Sequence, residues 1–123
     1  MNNLIIDAAN DKIFFKIIAD KKSYTSEIVN NRENFDKLTI LIFEFLENNH
    51  INIAKINNIF VNQGPGKFSS IRASLATAKA LSFVNKIDLY GFNSSQIINK
   101  NYVEIIDLFN KGLLIKNLIK LQY

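Results

Sequence analysis

The chain has no cysteine, one histidine, one proline and four glycines among its 123 residues. The lack of cysteine excludes a disulfide framework, a thiol nucleophile and a thiolate metal site, and it fits a reducing compartment. His50 has no second histidine at metal-ligand spacing, which favours a surface or helix-capping role over catalysis. No apolar run approaches the roughly 20 residues that span a bilayer. These absences disfavour enzymes that use a cysteine nucleophile or a thiolate-bound metal, and proteins with a membrane-spanning helix.

The composition indicates one compact domain, with 48% hydrophobic and 21% charged residues. The formal charge of +4 comes from lysines spread along the chain, which favours solvated side chains over a nucleic-acid-binding patch. The N-terminus has no basic segment and reaches Asp7 after three apolar residues. We therefore expect no signal peptide and a cytoplasmic location.

Apolar runs and turn residues alternate along the chain in a way that predicts an α/β fold. Three β-rich segments joined by short turns predict an antiparallel meander, and two later strands separated by a helix predict parallel pairing. Strands are expected at residues 4–6, 12–19, 23–29, 59–61 and 87–92, and helices at about 33–48 and 68–84. A short helix capped by Ser94 or Ser95 and a helical tail complete the prediction.

The most distinctive segment, residues 62–72, places the only proline and two of the four glycines between a strand and a helix. Its simplest interpretation is a tight strand-to-helix connection, the Gly-Pro-Gly turn at residues 64–66. A second interpretation is an anion or phosphate site, because a helix N-terminus offers unpaired N–H groups and the positive end of the helix dipole. The spacing of a Walker phosphate loop is absent.

Both long helices have apolar surfaces wider than contact with one sheet requires. In the first helix, Ile40, Leu41 and Phe43 lie among or beside the acidic residues, outside the core-facing stripe. In the second helix, a stripe of small residues that includes Ala76 and Ala80 lies beside a stripe of larger apolar residues. A helix that is apolar nearly all round is buried on two sides, so we expect a partner subunit on these helices.

Three features together resemble the N-terminal lobe of the TsaB (YeaZ) family. They are the Leu-Ile-Ile-Asp strand at residues 4–7, the sequence Gln-Gly-Pro-Gly-Lys-Phe-Ser-Ser-Ile-Arg at residues 63–72, and the Leu-Ala-Thr-Ala-Lys-Ala-Leu helix at residues 75–81. Their order and spacing agree with the family from residue 4 to about 98. The resemblance implies a single actin-like, ribonuclease-H-like (ASKHA) lobe at residues 1–98, with a helical tail at 99–123 in place of the family's second lobe.

The resemblance also implies a non-catalytic subunit of the machinery that installs threonylcarbamoyl on adenosine in tRNA. The partners it implies are a TsaD-type catalytic subunit and a TsaE-type ATPase, with a homodimer when the chain is alone. The chain would contact tRNA only through the complex, and no membrane is involved. No catalytic residue, metal ligand or cofactor is expected in this chain, because ATP and a metal ion belong to the partner subunits.

Two sets of site residues follow from the resemblance and from the helix patterns. The nucleotide- or anion-binding candidates are Asp7, Gly64, Gly66 and Lys67. The partner-interface candidates on the two long helices are Phe35, Leu38, Ile40, Leu41, Phe43, Phe68, Arg72, Ala73, Ala76, Lys79 and Ala80. The resemblance implies pairing through these same helices, in agreement with their wide apolar surfaces.

The chain departs from the family pattern at several of these positions. Ala8 follows Asp7 where the family has a threonine whose hydroxyl actin-like ATPases use near phosphate, and Lys67 and Ser70 replace serine and glycine. The alternative function is a small ATPase or glycopeptidase-like hydrolase of the actin-like superfamily. The sequence offers that alternative no base beside a nucleophile, and Asp7 is its sole strand-end acid. An RNA-binding module lacks the expected interleaving of aromatic and basic residues.

Overall fold

The computed structural model describes residues 1–97, 99 and 101–116, and it contains a six-stranded mixed sheet flanked by helices. The strands are β1 (Asn3–Asp7), β2 (Lys12–Ile18), β3 (Ser23–Val29), β4 (Asn58–Asn62), β5 (Asp88–Phe92) and β6 (Ile115–Lys116). The helices are α1 (Arg32–Phe35), α2 (Leu38–Asn48), α3 (Phe68–Asn85) and α4 (Val103–Asn110), with 3-10 turns at Ile53–Lys55 and Ser94–Gln96. The predicted fold class is confirmed.

The strand order across the sheet is β3-β2-β1-β4-β5-β6. β2 pairs antiparallel with β1 and β3, and β4 pairs parallel with β5, as the sequence predicts. β4 also pairs parallel with β1, which joins the two halves of the sheet. Every residue of β1 and of β4 is buried, because these central strands are covered on both faces. The carboxyl ends of β1, β4 and β5 therefore meet at one edge of the sheet, where ligands bind in many open α/β sheets.

The core has two layers, one on each face of the sheet. Alternation along β1 sends Leu4 and Ile6 to one layer and Ile5 to the other. The larger layer also holds the apolar sides of α2 and α3, and the smaller layer holds Ile105 of α4. Within the part of the chain that the structure describes, no helix is both long and apolar enough to cross a membrane.

The first long helix is interrupted, which corrects the prediction of one helix over residues 33–48. Lys37, between α1 and α2, has φ −128° and ψ 35°, outside the helical region. The side-chain oxygen of Asn31 accepts from the Asn34 N–H at 2.9 Å, and Asn34 Nδ2 donates to the Val29 carbonyl at 2.8 Å. Because asparagine side chains that bond the backbone compete with helix continuation, α1 is tied back to β3 instead of extending α2.

The end of the described chain is only partly helical, which corrects the predicted helical tail. Gly112, with φ +71°, follows α4, and β6 then pairs antiparallel with Tyr90 and Gly91 of β5. Glycine adopts this left-handed conformation readily, so the chain reverses here. Residues 117–123 lie outside the described residues, and the domain division after residue 98 stays a prediction.

The predicted short helix after β5 is a single 3-10 turn, and its N-cap is Asn93 instead of Ser94 or Ser95. The Asn93 N–H donates to Gln96 Oε1 at 2.8 Å. The Ser94 hydroxyl instead donates to the Pro65 carbonyl at 2.8 Å. The residues after β5 are therefore fastened to the Gly-Pro-Gly turn.

Candidate functional site

Asp7, the last residue of β1, is 4% exposed and accepts three hydrogen bonds. Its Oδ1 accepts from Asn62 Nδ2 at 3.0 Å and from the Ala9 N–H at 3.2 Å, and its Oδ2 accepts from the Tyr102 hydroxyl at 2.7 Å. Among the described residues, no ion pair involves Asp7, and no three His, Cys, Asp or Glu side chains form a group suited to a metal ion. Neutral donors of the chain itself therefore hold this buried carboxylate.

Tyr102 lies immediately before α4 and is buried in the smaller core layer. Its ring centroid is 6.0 Å from that of Phe14, with the rings tilted by 49°. Burial raises the pKa of Tyr102, and the charge of Asp7 and the hydrogen bond to it raise that pKa further. The hydroxyl therefore stays protonated at neutral pH and serves as a donor to Asp7.

Asn62, the last residue of β4, connects Asp7 to the Gly-Pro-Gly turn. Its Oδ1 accepts from the Gly64 N–H at 2.7 Å, and its Nδ2 also donates to Ser94 Oγ at 3.1 Å. The Ser94 N–H in turn donates to the Gly64 carbonyl at 2.9 Å. Side chains from the ends of β1 and β4, and the backbone that follows β5, thus fix the turn. Sequence reasoning missed Asn62, because asparagine is common throughout this chain. It missed Tyr102, because this residue is distant in sequence from Asp7, to which it donates.

The two glycines of the turn are required by backbone geometry and by packing. Gly64 has φ +107°, a conformation that side chains disfavour. A Cβ on Gly66 would lie 2.3 Å from the carbonyl oxygen of Ala9, and the Lys67 N–H donates to that same oxygen at 2.8 Å. The turn therefore packs directly against the connection between β1 and β2.

The nucleotide- or anion-binding candidates lie in one neighbourhood, but contacts within the protein occupy several of their polar groups. The Nζ atom of Lys67 lies 3.2 Å from Asp11 Oδ1 in an exposed ion pair. The N–H groups of Gly64 and Lys67 already donate to Asn62 and Ala9, respectively. Anion binding by these residues stays a prediction.

A second polar cluster holds the first turn of α3. Asn30 Nδ2 donates to the carbonyls of Ala8 and Asn10, at 2.9 and 2.7 Å, and to Ser70 Oγ at 3.0 Å. The Ser70 hydroxyl donates to the Ala8 carbonyl at 2.7 Å. Ser70, which stands where the family pattern has glycine, therefore joins α3 to the end of β1.

Exposed side chains follow one side of α3 along its whole length. Phe68 and Phe83, near the two ends, are 68% and 85% exposed, and Ala76 and Ala80 are exposed between them. Together with Arg72 these residues form what we call the α3 stripe, which is about 22 Å long at the rise of an α-helix. Small central side chains allow another helix to approach closely, and exposed apolar surface of this kind is typical of protein-binding sites.

Positive charge borders the α3 stripe. The sequence from residue 63 to 87 contains the cations Lys67, Arg72, Lys79 and Lys86 and no aspartate or glutamate. The Arg72 guanidinium carbon lies 5.1 Å from the centre of the Phe68 ring, within cation–π range. The charged residues of this segment are therefore all basic, and one of them, Lys67, is paired with Asp11.

Part of the predicted interface faces the core instead. Leu38 is 2% exposed and belongs to the larger core layer, so its assignment to the partner interface is wrong. Leu38 is the first residue of α2, after the interruption that follows α1, and its side chain packs into the larger core layer. Phe35, Leu41 and Ala73 are half-buried and pack against the same layer.

The exposed part of the predicted interface extends further than the sequence indicates. On α2, which packs beside α3, Ile40 and Phe43 are exposed. On α3, Phe83 and Val84 are also exposed, and sequence reasoning did not assign Phe83 to the interface. The spacing of seven residues from Ala76 to Phe83, two helical turns, is the sequence signal that could have found it.

Comparisons of the sequence with known proteins find one family model and several relatives. The model of the family described as TsaD, tRNA N6-adenosine threonylcarbamoyltransferase, matches residues 27–104. The tRNA threonylcarbamoyladenosine biosynthesis protein TsaB of Buchnera aphidicola subsp. Schizaphis graminum is 30% identical over 95 residues, which are 77% of this chain and 45% of the relative. A tRNA N6-adenosine threonylcarbamoyltransferase of Clostridioides difficile strain 630 is 32% identical over 81 residues, 65% of this chain and 24% of the relative. The matched part spans less than half the length of either relative.

Solved structures share the fold at low sequence identity. YeaZ from Pseudomonas aeruginosa has a TM-score of 0.73 and 14% identity, covering 90% of this chain and 50% of that one. T. thermophilus RuvC in complex with a Holliday junction substrate has a TM-score of 0.64 and 8% identity, covering 94% of this chain and 99% of that one. These two likenesses establish only the shared lobe. The family model matches more than half of the chain, so the chain belongs to this TsaD-type family over residues 27–104, and the two TsaB relatives support its membership of the TsaB family.

Proposed function

We propose that this chain is a non-catalytic subunit of the machinery that makes N6-threonylcarbamoyladenosine in tRNA, and that it binds a TsaD-type catalytic subunit. The observation that carries the proposal is the α3 stripe, an exposed apolar surface on a chain whose curated relatives are named for this biosynthesis. The proposed binding surface is the stripe together with Ile40 and Phe43 of α2. Burying a large apolar side chain contributes roughly 1.5–3 kcal/mol, so Ile40, Phe43 and the two stripe phenylalanines are expected to contribute most to the contact.

The state of Asp7 supports an accessory role over catalysis. A small ATPase or hydrolase would need a strand-end carboxylate that can hold a metal-bound phosphate or activate water. Both oxygens of Asp7 instead accept hydrogen bonds from buried or backbone donors of the same chain. No observation favours the hydrolase alternative.

The same proposal covers the remaining components of the machinery. A TsaE-type ATPase joins the complex, ATP and the metal ion are held by the partner subunits, and this chain contacts tRNA only through the complex. In the absence of a TsaD-type subunit, the α3 stripe pairs with a second copy to form a homodimer. A role in tRNA modification makes the cytoplasm the expected location.

The test is binding to a purified TsaD-type subunit, measured by co-purification and by isothermal titration calorimetry. A double variant, Ile40→Glu with Ala76→Glu, places two carboxylates on the proposed surface and is expected to lose measurable binding while it stays folded. The control is Val103→Glu, because Val103 is 54% exposed on α4, which packs against the other face of the sheet. Wild-type affinity in the folded double variant, or equal loss in the control, would contradict the proposal.

A further inference from the structure

We propose that Tyr102 is a positioning residue that orients the Gly-Pro-Gly turn, although it lies on the opposite face of the sheet from the helix that leaves this turn. Tyr102 packs in the smaller core layer, whereas Ala78 and Leu81 of α3 pack in the larger one. Asp7, at the carboxyl end of β1, accepts from Tyr102 and from Asn62, the residue that fixes the turn. The effect on the turn is independent of the proposed function, whereas its consequence for partner binding rests on that function.

The path is a continuous chain of hydrogen bonds. The Tyr102 hydroxyl donates to Asp7 Oδ2 at 2.7 Å, and Asp7 Oδ1 accepts from Asn62 Nδ2 at 3.0 Å. Asn62 Oδ1 then accepts from the Gly64 N–H at 2.7 Å, while its Nδ2 reaches Ser94 Oγ at 3.1 Å. Each link in the path constrains the rotation of the next side chain. The orientation of the Asn62 amide, which holds the first residue of the turn, thus depends on how the Asp7 carboxylate is held.

Tyr102 supplies the only hydrogen bond that Asp7 Oδ2 accepts among the described residues. Removing the hydroxyl leaves one oxygen of a buried carboxylate without a donor, a costly state that the carboxylate relieves by rotating or by admitting water. Either response disturbs the bond from Asn62 to the other oxygen. Hydrogen bonds to charged acceptors are among the stronger ones, so the disturbance is large enough to reach Gly64.

A purely local role for Tyr102 makes a different prediction. If the hydroxyl only anchors α4, its loss loosens residues 103–110 and leaves the turn unchanged. If it positions the turn, its loss loosens the N–H groups of Gly64 and Ser94, which are bonded to Asn62 and to the Gly64 carbonyl. Amide hydrogen exchange reports these groups separately.

The experiment is amide hydrogen exchange of the chain with Tyr102→Phe, which removes the hydroxyl and keeps the ring. We expect exchange at Gly64 and Ser94 to become about tenfold faster, the change expected from one hydrogen bond to a charged acceptor, with β2 and β3 unchanged. The matched control is Tyr90→Phe, because Tyr90 is half-buried and packs by its ring against Phe60 and Phe109. Faster exchange confined to α4, or the same change in the control, would overturn the proposal.

A second variant keeps the test decisive if Tyr102→Phe unfolds the chain. Asp7→Asn weakens the same path from its centre, and unchanged exchange at Gly64 in folded Asp7→Asn protein would overturn the proposal. Binding to a TsaD-type subunit is measured on the same proteins. If the Tyr102→Phe or Asp7→Asn protein shows faster exchange but binds with unchanged affinity, only the extension to partner binding is overturned. Failure of the proposed function would appear separately, as unchanged binding of the Ile40→Glu, Ala76→Glu protein.

Discussion

The backbone of Gly66 lies so close to the carbonyl oxygen of Ala9 that a Cβ at position 66 would be 2.3 Å from that oxygen. The obstacle is backbone, which cannot rotate away as a flexible side chain can. The same carbonyl accepts the N–H of Lys67, so a shift of Ala9 would also break a hydrogen bond. The turn between β4 and α3 is therefore defined by contact with the end of β1.

We expect Gly66→Ala to lower the free energy of unfolding by about 2–3 kcal/mol, since overpacking against fixed backbone is strongly destabilising. The measurement is urea unfolding followed by circular dichroism. The comparison variant is Gly112→Ala, where a Cβ meets nothing within 4 Å and the cost of roughly 1 kcal/mol comes only from its positive φ. A smaller loss at Gly66 than at Gly112 would show that the close approach is not as described.

His50→Gly is expected to raise the free energy of unfolding by about 0.5–1 kcal/mol, because His50 has φ +57° at the end of α2, where glycine is the unstrained residue. The comparison variant, Asn49→Gly, replaces a residue with φ −105° and removes the hydrogen bond from Asn49 Nδ2 to the Phe45 carbonyl. That variant should lose stability. Equal destabilisation of both variants would show that relief of backbone strain at His50 does not control stability at the end of α2.

Stability at alkaline pH is expected to depend on Tyr102. Its pKa in the folded protein is raised above the ordinary value of about 10, so the unfolded chain releases its proton first as the pH rises. The stabilisation is complete below pH of about 10 and is lost as the pH rises further, towards the folded pKa. Unfolding free energies of wild type and Tyr102→Phe, measured from pH 8 to about 11, should converge as the pH rises. A difference in unfolding free energy between the two proteins that stays constant across that range would contradict this assignment. Tyr24→Phe, which removes the hydroxyl of another tyrosine, is the matched control.

Phe83→Ala should weaken binding to a TsaD-type subunit by about 30-fold, the loss of roughly 2 kcal/mol that truncation of an aromatic hot-spot residue causes. The free energy of unfolding should change by less than about 0.5 kcal/mol, because Phe83 is largely exposed in the isolated chain. Titration calorimetry and urea unfolding measure the two quantities. Val103→Ala is the control, and an unchanged affinity for Phe83→Ala would remove this end of the α3 stripe from the proposed interface.

The strands β1 to β5 and the helix α3 were predictable from sequence, because apolar runs bounded by turn residues mark them locally, whereas β6 was not predicted. The run at residues 59–61 lies within β4, and the small-residue helix at 68–84 matches α3 to within one residue. The interruption after α1 was not predictable from periodicity, because it depends on Asn34 bonding the backbone of β3. Leu38 was assigned to the partner interface, and only the packing shows that it belongs to the core.

The candidate site was predictable only in part. The Gly-Pro-Gly turn and Asp7 stand out in the sequence, since glycine, proline and a strand-end acid each have a clear physical role. The contact from Tyr102 to Asp7 joins residues 95 positions apart, and no local pattern signals it. Asn62 was hidden by the abundance of asparagine, although its place at the end of β4 is what gives it a role.

The two neighbours of β1 differ in how far along the chain they lie, which has a consequence for folding kinetics. β2 follows β1 after a short turn, whereas the first residue of the parallel partner β4, Asn58, lies 55 positions after the first residue of β1, Asn3. Because closing a long loop costs entropy before any contact compensates for it, we expect the meander to form first and β4 to dock later. Phe15→Leu should then slow refolding, while Ile59→Val should mainly speed unfolding. Chevron plots measure both rates, and slower refolding of Ile59→Val with faster unfolding of Phe15→Leu would show that β4 docks first. Before β4 docks, the apolar edge of β1 is exposed and can pair with another chain. Aggregation should therefore increase, and the refolding yield fall, as the protein concentration rises.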